Sequence, residues 1–121
     1  MENTKRVIVA DDKEEIRSIL VRIIMGYRPN IEIDQVSDGE DLVNKIRENG
    51  YCVVFTDNSM LKVNGIEAIR QIRGFNKEIP IYMMSGDFLV EHDALASGAN
   101  GYIAKPFNLN DIKTVLERHF R

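Results

Sequence analysis

Short apolar runs alternate along the chain with stretches in which apolar residues recur every three or four positions. The short runs have the length and bulk of β-strands, and they predict strands at residues 7–10, 31–36, 52–55, 81–84 and 102–104. The first, third and fourth runs are almost continuously apolar, which is typical of parallel strands covered by helices on both faces. The pattern therefore predicts a sheet whose central strands are buried.

The intervening stretches predict five amphipathic helices. Apolar residues repeat at helical spacing through residues 16–24, and Gly26 is the expected end of this first helix. Apolar positions of the other four helices fall within residues 42–46, 66–72, 89–95 and 109–116. Asn108 is the expected N-cap of the last helix, with Asp111 three residues further on.

Five strands alternating with five helices predict an α/β fold with a doubly wound, five-stranded parallel sheet. A chain of 121 residues has a common single-domain length, so we expect residues 1–121 to form one domain. In such sheets, ligands bind beyond the carboxyl ends of the strands, where the strand order reverses. Residues at those strand ends are therefore the first candidates for chemistry.

Composition and charge exclude several classes of protein. No apolar run approaches the roughly 20 residues that span a bilayer, and the charged N-terminus is unlike a signal peptide, so we expect a cytoplasmic protein without membrane contact. The net charge of −3 and the absence of a basic cluster argue against direct binding of nucleic acid. Cys52 is the only cysteine, so an intramolecular disulfide is excluded.

Polar side chains stand at the ends of four predicted strands: Asp11 and Asp12 after the first, Asp57 after the third, Ser85 after the fourth and Lys105 after the fifth. Each residue alone could be a helix cap, a turn residue or a solvated lysine. Together they would bring three carboxylates into one crevice, where the charges repel unless a cation is present. Oxygen ligands of this kind favour Mg²⁺, which often shares its site with phosphate.

This set of residues suffices for transfer of a phosphoryl group to a carboxylate. Asp57 ends the central strand and is the expected nucleophile, while Asp11 and Asp12 are the expected metal ligands. Lys105 would supply positive charge and Ser85 a hydroxyl to the phosphoryl oxygens. None of these positions is a histidine or cysteine, so triad hydrolysis and zinc chemistry have no candidates here, and no organic cofactor is expected.

From Lys5 to His119 the chain resembles the receiver domains of two-component response regulators. The resemblance is carried by Asp11-Asp12, the segment 57–65, Ser85-Gly86 and Lys105-Pro106-Phe107. It implies a flavodoxin-like (βα)5 fold with strand order 2-1-3-4-5. It also implies a Mg²⁺-dependent switch that takes its phosphoryl group from a histidine kinase or phosphotransfer protein and catalyses only its own phosphorylation and dephosphorylation.

The resemblance assigns a role to each site residue. Asp57 would be the phosphoacceptor, and the metal would be ligated by Asp12, Asp57 and the backbone carbonyl of Ser59. Asp11 would act mainly through a metal-bound water, and Lys105 would be aimed into the site by a cis bond to Pro106.

The resemblance also implies a route for output. Ser85 and Tyr102 match a hydroxyl and an aromatic residue whose positions are coupled in the family, and Tyr102 alone could equally be a half-buried strand residue. The coupled change would alter the face formed by helix 4, strand 5 and helix 5, where a downstream protein partner would bind. A phosphorylation-dependent homodimer is a further partner to test.

One departure from the family is Leu61, where proline usually follows the methionine, and the loop after Asp57 is therefore expected to be more mobile. Ser59 and Asp87 occupy positions that, in the family, control the access of hydrolytic water. Their side chains leave the lifetime of the phosphoryl group open.

Three alternative interpretations remain. A haloacid-dehalogenase-type, Mg²⁺-dependent phosphohydrolase would need an acid two residues after a nucleophile on the first strand, where Lys13 follows Asp11. An FMN-binding protein would need a glycine- and hydroxyl-rich phosphate loop after that strand, where the sequence is acidic. The chain could also be the receiver half of a DNA-binding response regulator instead of a stand-alone domain.

Overall fold

The structure is a computed structural model that describes residues 5–120. Five strands and five helices alternate as the hydrophobic pattern predicts. Their bounds are β1 Arg6–Ala10, α1 Glu14–Tyr27, β2 Glu32–Val36, α2 Gly39–Glu48, β3 Val53–Asp57, α3 Gly65–Arg73, β4 Ile81–Ser85, α4 Leu89–Ser97, β5 Gly101–Ala104 and α5 Leu109–His119. The largest change from the predicted strands is at β3, which extends to include Asp57.

The strands form one parallel sheet in the order β2-β1-β3-β4-β5, which confirms the doubly wound, flavodoxin-like fold. Two hydrophobic clusters cover its faces. One contains buried residues of α2, α3 and α4, and the other contains buried residues of α1 and α5. Successive side chains of a strand point to opposite faces, so Ile8 packs in the first cluster and Val7 and Val9 in the second.

Two predicted helix ends have different outcomes. The expectation that Gly26 ends the first helix is wrong, because α1 continues to Tyr27 and the extended residue Arg28 follows it. Pro29 comes next, and a residue that precedes proline is driven out of the helical region by a clash with the proline ring. The N-cap at Asn108 is confirmed, because its side chain accepts a hydrogen bond from the Asp111 N–H. The Asp111 carboxylate in turn accepts from the Asn108 N–H, which completes a capping box.

The loop after β3 packs closely against two helices. A methyl group added at Gly65 would lie 2.3 Å from the carbonyl oxygen of Asp57, and one added at Gly39 would lie 1.9 Å from that of Val63. Leu61 pairs with Asp38 in an isolated β-bridge. These contacts tie the loop to the first turns of α2 and α3, so its path depends on residues far from it in sequence.

Two further features complete the fold. The peptide bond between Lys105 and Pro106 is cis, as the resemblance implied. Within residues 5–120, no helix is both long enough and apolar enough to cross a membrane.

Candidate functional site

Three carboxylates meet at the carboxyl edge of the sheet, where the order of the strands reverses between β1 and β3. Asp11 and Asp12 follow β1, and Asp57 is the last residue of β3. One oxygen from each lies within 4.8 Å of the others. Asp11 and Asp57 are buried and Asp12 is exposed, so only one of the three carboxylates is open to solvent.

Lys105 joins the two buried carboxylates. Its Nζ donates to Asp11 Oδ2 at 2.8 Å and to Asp57 Oδ1 at 2.9 Å. The side chain of Lys105 is 20% exposed, so these charge-assisted bonds are partly shielded from water. The ends of β1, β3 and β5 thus contribute to one site, as their positions in the sequence predict.

The pKa values in this site reflect burial and the sharing of one ammonium by two acids. Burial raises the pKa of Asp57, and the charge of Asp11 raises it further, while the bond to Lys105 opposes both. Burial alone would lower the pKa of Lys105, but the bonds to Asp11 and Asp57 outweigh it and the pKa is raised. Lys105 is therefore a fixed cation, and the site keeps an excess of negative charge.

The chemistry of the donors fits a hard divalent cation. Carboxylate oxygens are the ligands that Mg²⁺ and Ca²⁺ prefer, and Asp12 is open to solvent, so water can complete the coordination. Asp11, Asp12 and Asp57 are the residues that could hold such an ion. Ser59 is exposed in the loop after β3, and a role for its carbonyl stays a prediction.

Ser85 ends β4, the strand next to β3, and Tyr102 of β5 is linked to it through the chain that follows β4. The Ser85 hydroxyl accepts a hydrogen bond from the Asp87 N–H at 2.9 Å. The half-buried Tyr102 donates its hydroxyl to the backbone oxygens of Ser85 at 2.9 Å and Asp87 at 3.1 Å. Both side chains therefore stabilise the loop that leads into α4, and the serine hydroxyl is committed to this loop instead of to Asp57.

Arg17 is a site residue that the sequence analysis missed. Its Nη1 donates to the backbone oxygen of Asp11 at 2.8 Å, from one turn inside α1. Helical side chains point back toward the N-terminus of their helix, so a long cation at this position could have been suspected. The sequence pattern does not show which group Arg17 would reach.

The pKa of Asp57 leads to a prediction about stability. Without metal, we expect Asp57→Asn to have a higher free energy of unfolding than the wild type at pH 7, because ionising the buried carboxyl beside Asp11 opposes folding. Because the pKa of Asp57 is raised in the folded state, the ionised carboxylate destabilises the fold and the protonated carboxyl does not. The difference should therefore shrink as the pH falls toward the ordinary pKa of 3.8. Urea unfolding at several pH values measures it, and a constant difference would contradict the stated cause.

Comparisons with known proteins agree with this architecture. The family model described as the response regulator receiver domain matches residues 7–117. The transcriptional regulatory protein ZraR of Escherichia coli K12 is 27% identical over 114 residues, which cover 93% of this chain and 25% of ZraR. ZraR of Salmonella typhimurium is 29% identical over the same length. The chain thus spans about a quarter of the length of these curated relatives.

Solved structures show the same fold. The chemotaxis response regulator CheY4 of Vibrio cholerae matches with a TM-score of 0.86 at 24% identity, over 98% of this chain and 100% of CheY4. A chain in the co-crystal structure of the Saccharomyces cerevisiae histidine phosphotransfer protein Ypd1 with the receiver domain of Ssk1 matches with a TM-score of 0.85 at 25% identity, over 98% and 90% of the two chains.

A third structure, the receiver domain of the Pseudomonas aeruginosa sensor histidine kinase PA1611, matches with a TM-score of 0.86 at 21% identity, over 97% and 98% of the two chains. The family match covers most of α5 and all five strands, except for the first residue of β1. The acidic cluster lies at the sheet edge where such α/β folds bind their ligands. The chain therefore belongs to the response regulator receiver domain family of two-component signalling.

Proposed function

We propose that this chain is a Mg²⁺-dependent phosphorylation switch that accepts a phosphoryl group on Asp57 from a histidine kinase or phosphotransfer protein. The observation that carries the proposal is the environment of Asp57. Its carboxylate ends the central strand, lies in a cluster of three acids and is bound by the Lys105 ammonium at 2.9 Å. That arrangement supplies a nucleophile, a candidate cation site and a fixed positive charge at one point.

The chemistry is a transfer between two nucleophiles. An oxygen of Asp57 attacks the phosphorus of a phosphohistidine, the new O–P bond forms, and the N–P bond breaks with its electrons returning to the imidazole. Mg²⁺, when held by Asp11, Asp12, Asp57 and the carbonyl of Ser59, would supply charge that offsets the phosphoryl oxygens. Lys105 is the second cation available to them, from its present place between two carboxylates.

The same arrangement suggests how phosphorylation is transmitted. A phosphoryl group on Asp57 would compete with the backbone oxygen of Asp87 for the hydrogen of the Ser85 hydroxyl, which now donates to that oxygen at 3.3 Å. Loss of that bond would loosen the loop that Tyr102 also holds, and would displace the start of α4. We therefore propose Ser85 and Tyr102 as the switch residues and the α4-β5-α5 face as the output surface.

Relatives support the proposed ligands and partners. The PA1611 receiver domain was solved with a magnesium ion coordinated in its active-site cleft, and the Ssk1 receiver domain was solved together with a histidine phosphotransfer protein. ZraR is a transcriptional regulator about four times as long as the matched segment, so a receiver half of a DNA-binding regulator stays a candidate context. A downstream protein on the α4-β5-α5 face and a phosphorylation-dependent homodimer are the other proposed partners.

The decisive experiment treats the protein with acetyl phosphate and Mg²⁺ and measures its intact mass. We expect a gain of one phosphoryl group that disappears with a chelator and in Asp57→Asn. NMR of the same phosphorylated sample should show shifts at Ser85 and Tyr102 that the Asp57→Asn sample lacks. A mass gain that persists in Asp57→Asn would refute the assignment of the phosphoacceptor.

One measurement separates the switch from the phosphohydrolase. A haloacid-dehalogenase-type enzyme would turn over a phosphate ester, whereas a switch would only hydrolyse its own aspartyl phosphate. Turnover of p-nitrophenyl phosphate that survives Asp57→Ala would favour the enzyme. We expect no turnover above the blank.

A further inference from the structure

Asp11 is held in the site by more contacts than either of the other carboxylates. It is fully buried, its N–H donates to Val36 O at 3.1 Å, and its Oδ1 accepts from the Lys13 N–H at 2.9 Å. Its Oδ2 accepts from Lys105 at 2.8 Å. The remaining polar group is the backbone oxygen, and its hydrogen-bond donor is Arg17.

The Arg17 guanidinium bridges the segment Asp11-Asp12, which follows β1, and the edge strand β2. Nη1 donates to the Asp11 oxygen at 2.8 Å, while Nε donates to Gln35 Oε1 at 3.2 Å. The planar fork of arginine can make both bonds in one fixed geometry. Val36, the neighbour of Gln35, accepts the Asp11 N–H, so β2 restrains the Asp11 peptide units on both sides of the residue.

The bonded oxygen belongs to the peptide that joins Asp11 to Asp12. Its orientation determines where the Asp12 backbone leaves the end of β1, and hence where the exposed Asp12 carboxylate can lie. We infer, on the basis of the proposed function, that Arg17 is a positioning residue of the cation site, which holds the Asp11-Asp12 peptide so that the three carboxylates converge. Hydrogen bonds around a metal site commonly orient the groups that bind the ion.

Two effects of Arg17 on a bound cation have opposite signs, and this makes the inference testable. Its positive charge repels a divalent ion, so removing the charge alone would strengthen binding. Its hydrogen bond fixes the ligands, so removing the bond would weaken binding. A loss of affinity on replacement of Arg17 therefore identifies positioning as the dominant effect.

The test is Mg²⁺ binding to the metal-free, unphosphorylated protein, measured by calorimetry for the wild type, Arg17→Met and Arg22→Met. Arg22→Met is the matched control, because it removes the same charge from an exposed position on α1. We expect Arg17→Met to weaken Mg²⁺ binding about 10- to 100-fold, the range typical of such supporting groups, and Arg22→Met to leave it within about 2-fold. Amide exchange of Lys13, whose N–H bonds to the Asp11 carboxylate, should become faster only in Arg17→Met.

The outcomes separate this inference from the proposed function. A wild type that binds no Mg²⁺ would contradict the proposed function itself. If the wild type binds Mg²⁺ and Arg17→Met binds it with equal or higher affinity, only the role of Arg17 is overturned. If circular dichroism shows that Arg17→Met does not fold, the same measurements are made on Arg17→Lys, which keeps the positive charge but lacks the planar guanidinium. Wild-type Mg²⁺ affinity and wild-type Lys13 exchange in Arg17→Lys would then refute the inference.

Discussion

Replacing Lys105 with methionine should slow the phosphorylation of Asp57 by acetyl phosphate about 100- to 1,000-fold, the cost typical of losing one donor to a developing negative charge. Lys105 contacts Asp57 at 2.9 Å, and its raised pKa keeps it charged at neutral pH. Methionine has a similar length without the charge, so packing around the side chain should change little. The rate is measured by intact mass against time at saturating Mg²⁺.

Mg²⁺ affinity should respond differently from the rate in this variant. Lys105 is not a ligand, and its charge repels a cation, so we expect Lys105→Met to bind Mg²⁺ at least as tightly as the wild type. Lys113→Met, on the exposed surface of α5, is the charge-matched control for both measurements. A Lys105→Met protein that is phosphorylated at the wild-type rate would show that its ammonium takes no part in the transfer.

Replacing Gly39 with alanine should destabilise the protein by about 3 kcal/mol, at the upper end of the usual cost of overpacking. The added methyl carbon would lie 1.9 Å from the Val63 oxygen and 2.6 Å from its carbonyl carbon. Both are backbone atoms, so no side-chain rotation can relieve the contact and the loop from β3 to α3 must move. That loop contains Ser59, so Mg²⁺ affinity should fall as well. Urea unfolding and calorimetry measure the two effects.

Gly26→Ala is the matched control, since nothing lies within 4 Å of the added carbon. Gly26 lies inside α1, where alanine is intrinsically better than glycine, so this change should stabilise the protein by about 0.5–1 kcal/mol. Equal effects of the two substitutions would mean that the close approach at Gly39 is absent in solution.

The order of elements and most of the site could be predicted because each rests on local information. Strand and helix periodicity depends on neighbouring residues, and parallel connections leave few arrangements of five strands. Once the strands are placed, Asp11, Asp57 and Lys105 must share one edge, because the carboxyl ends of parallel strands lie together. The contacts of Lys105 with both acids follow from that geometry.

One error came from weighing one local signal above another, and one contact depends on packing that local patterns do not encode. Gly26 was expected to end α1, yet the signal that matters is Pro29, which restricts Arg28. The greater mobility expected of the loop that contains Leu61 stays a prediction, whereas the pairing of Leu61 with Asp38 joins segments that are distant in sequence and that local patterns cannot connect.

By itself the sequence determined the α/β class, the buried central strands and the chemical identity of the residues at the strand ends. Only the tertiary structure decided that the Ser85 hydroxyl bonds to Asp87, that Gly39 packs against the backbone of Val63 and that Arg17 donates to the backbone oxygen of Asp11. The reason is physical. These contacts depend on side-chain rotamers and on segments distant in sequence that pack at van der Waals distance, and periodicity carries no information about either.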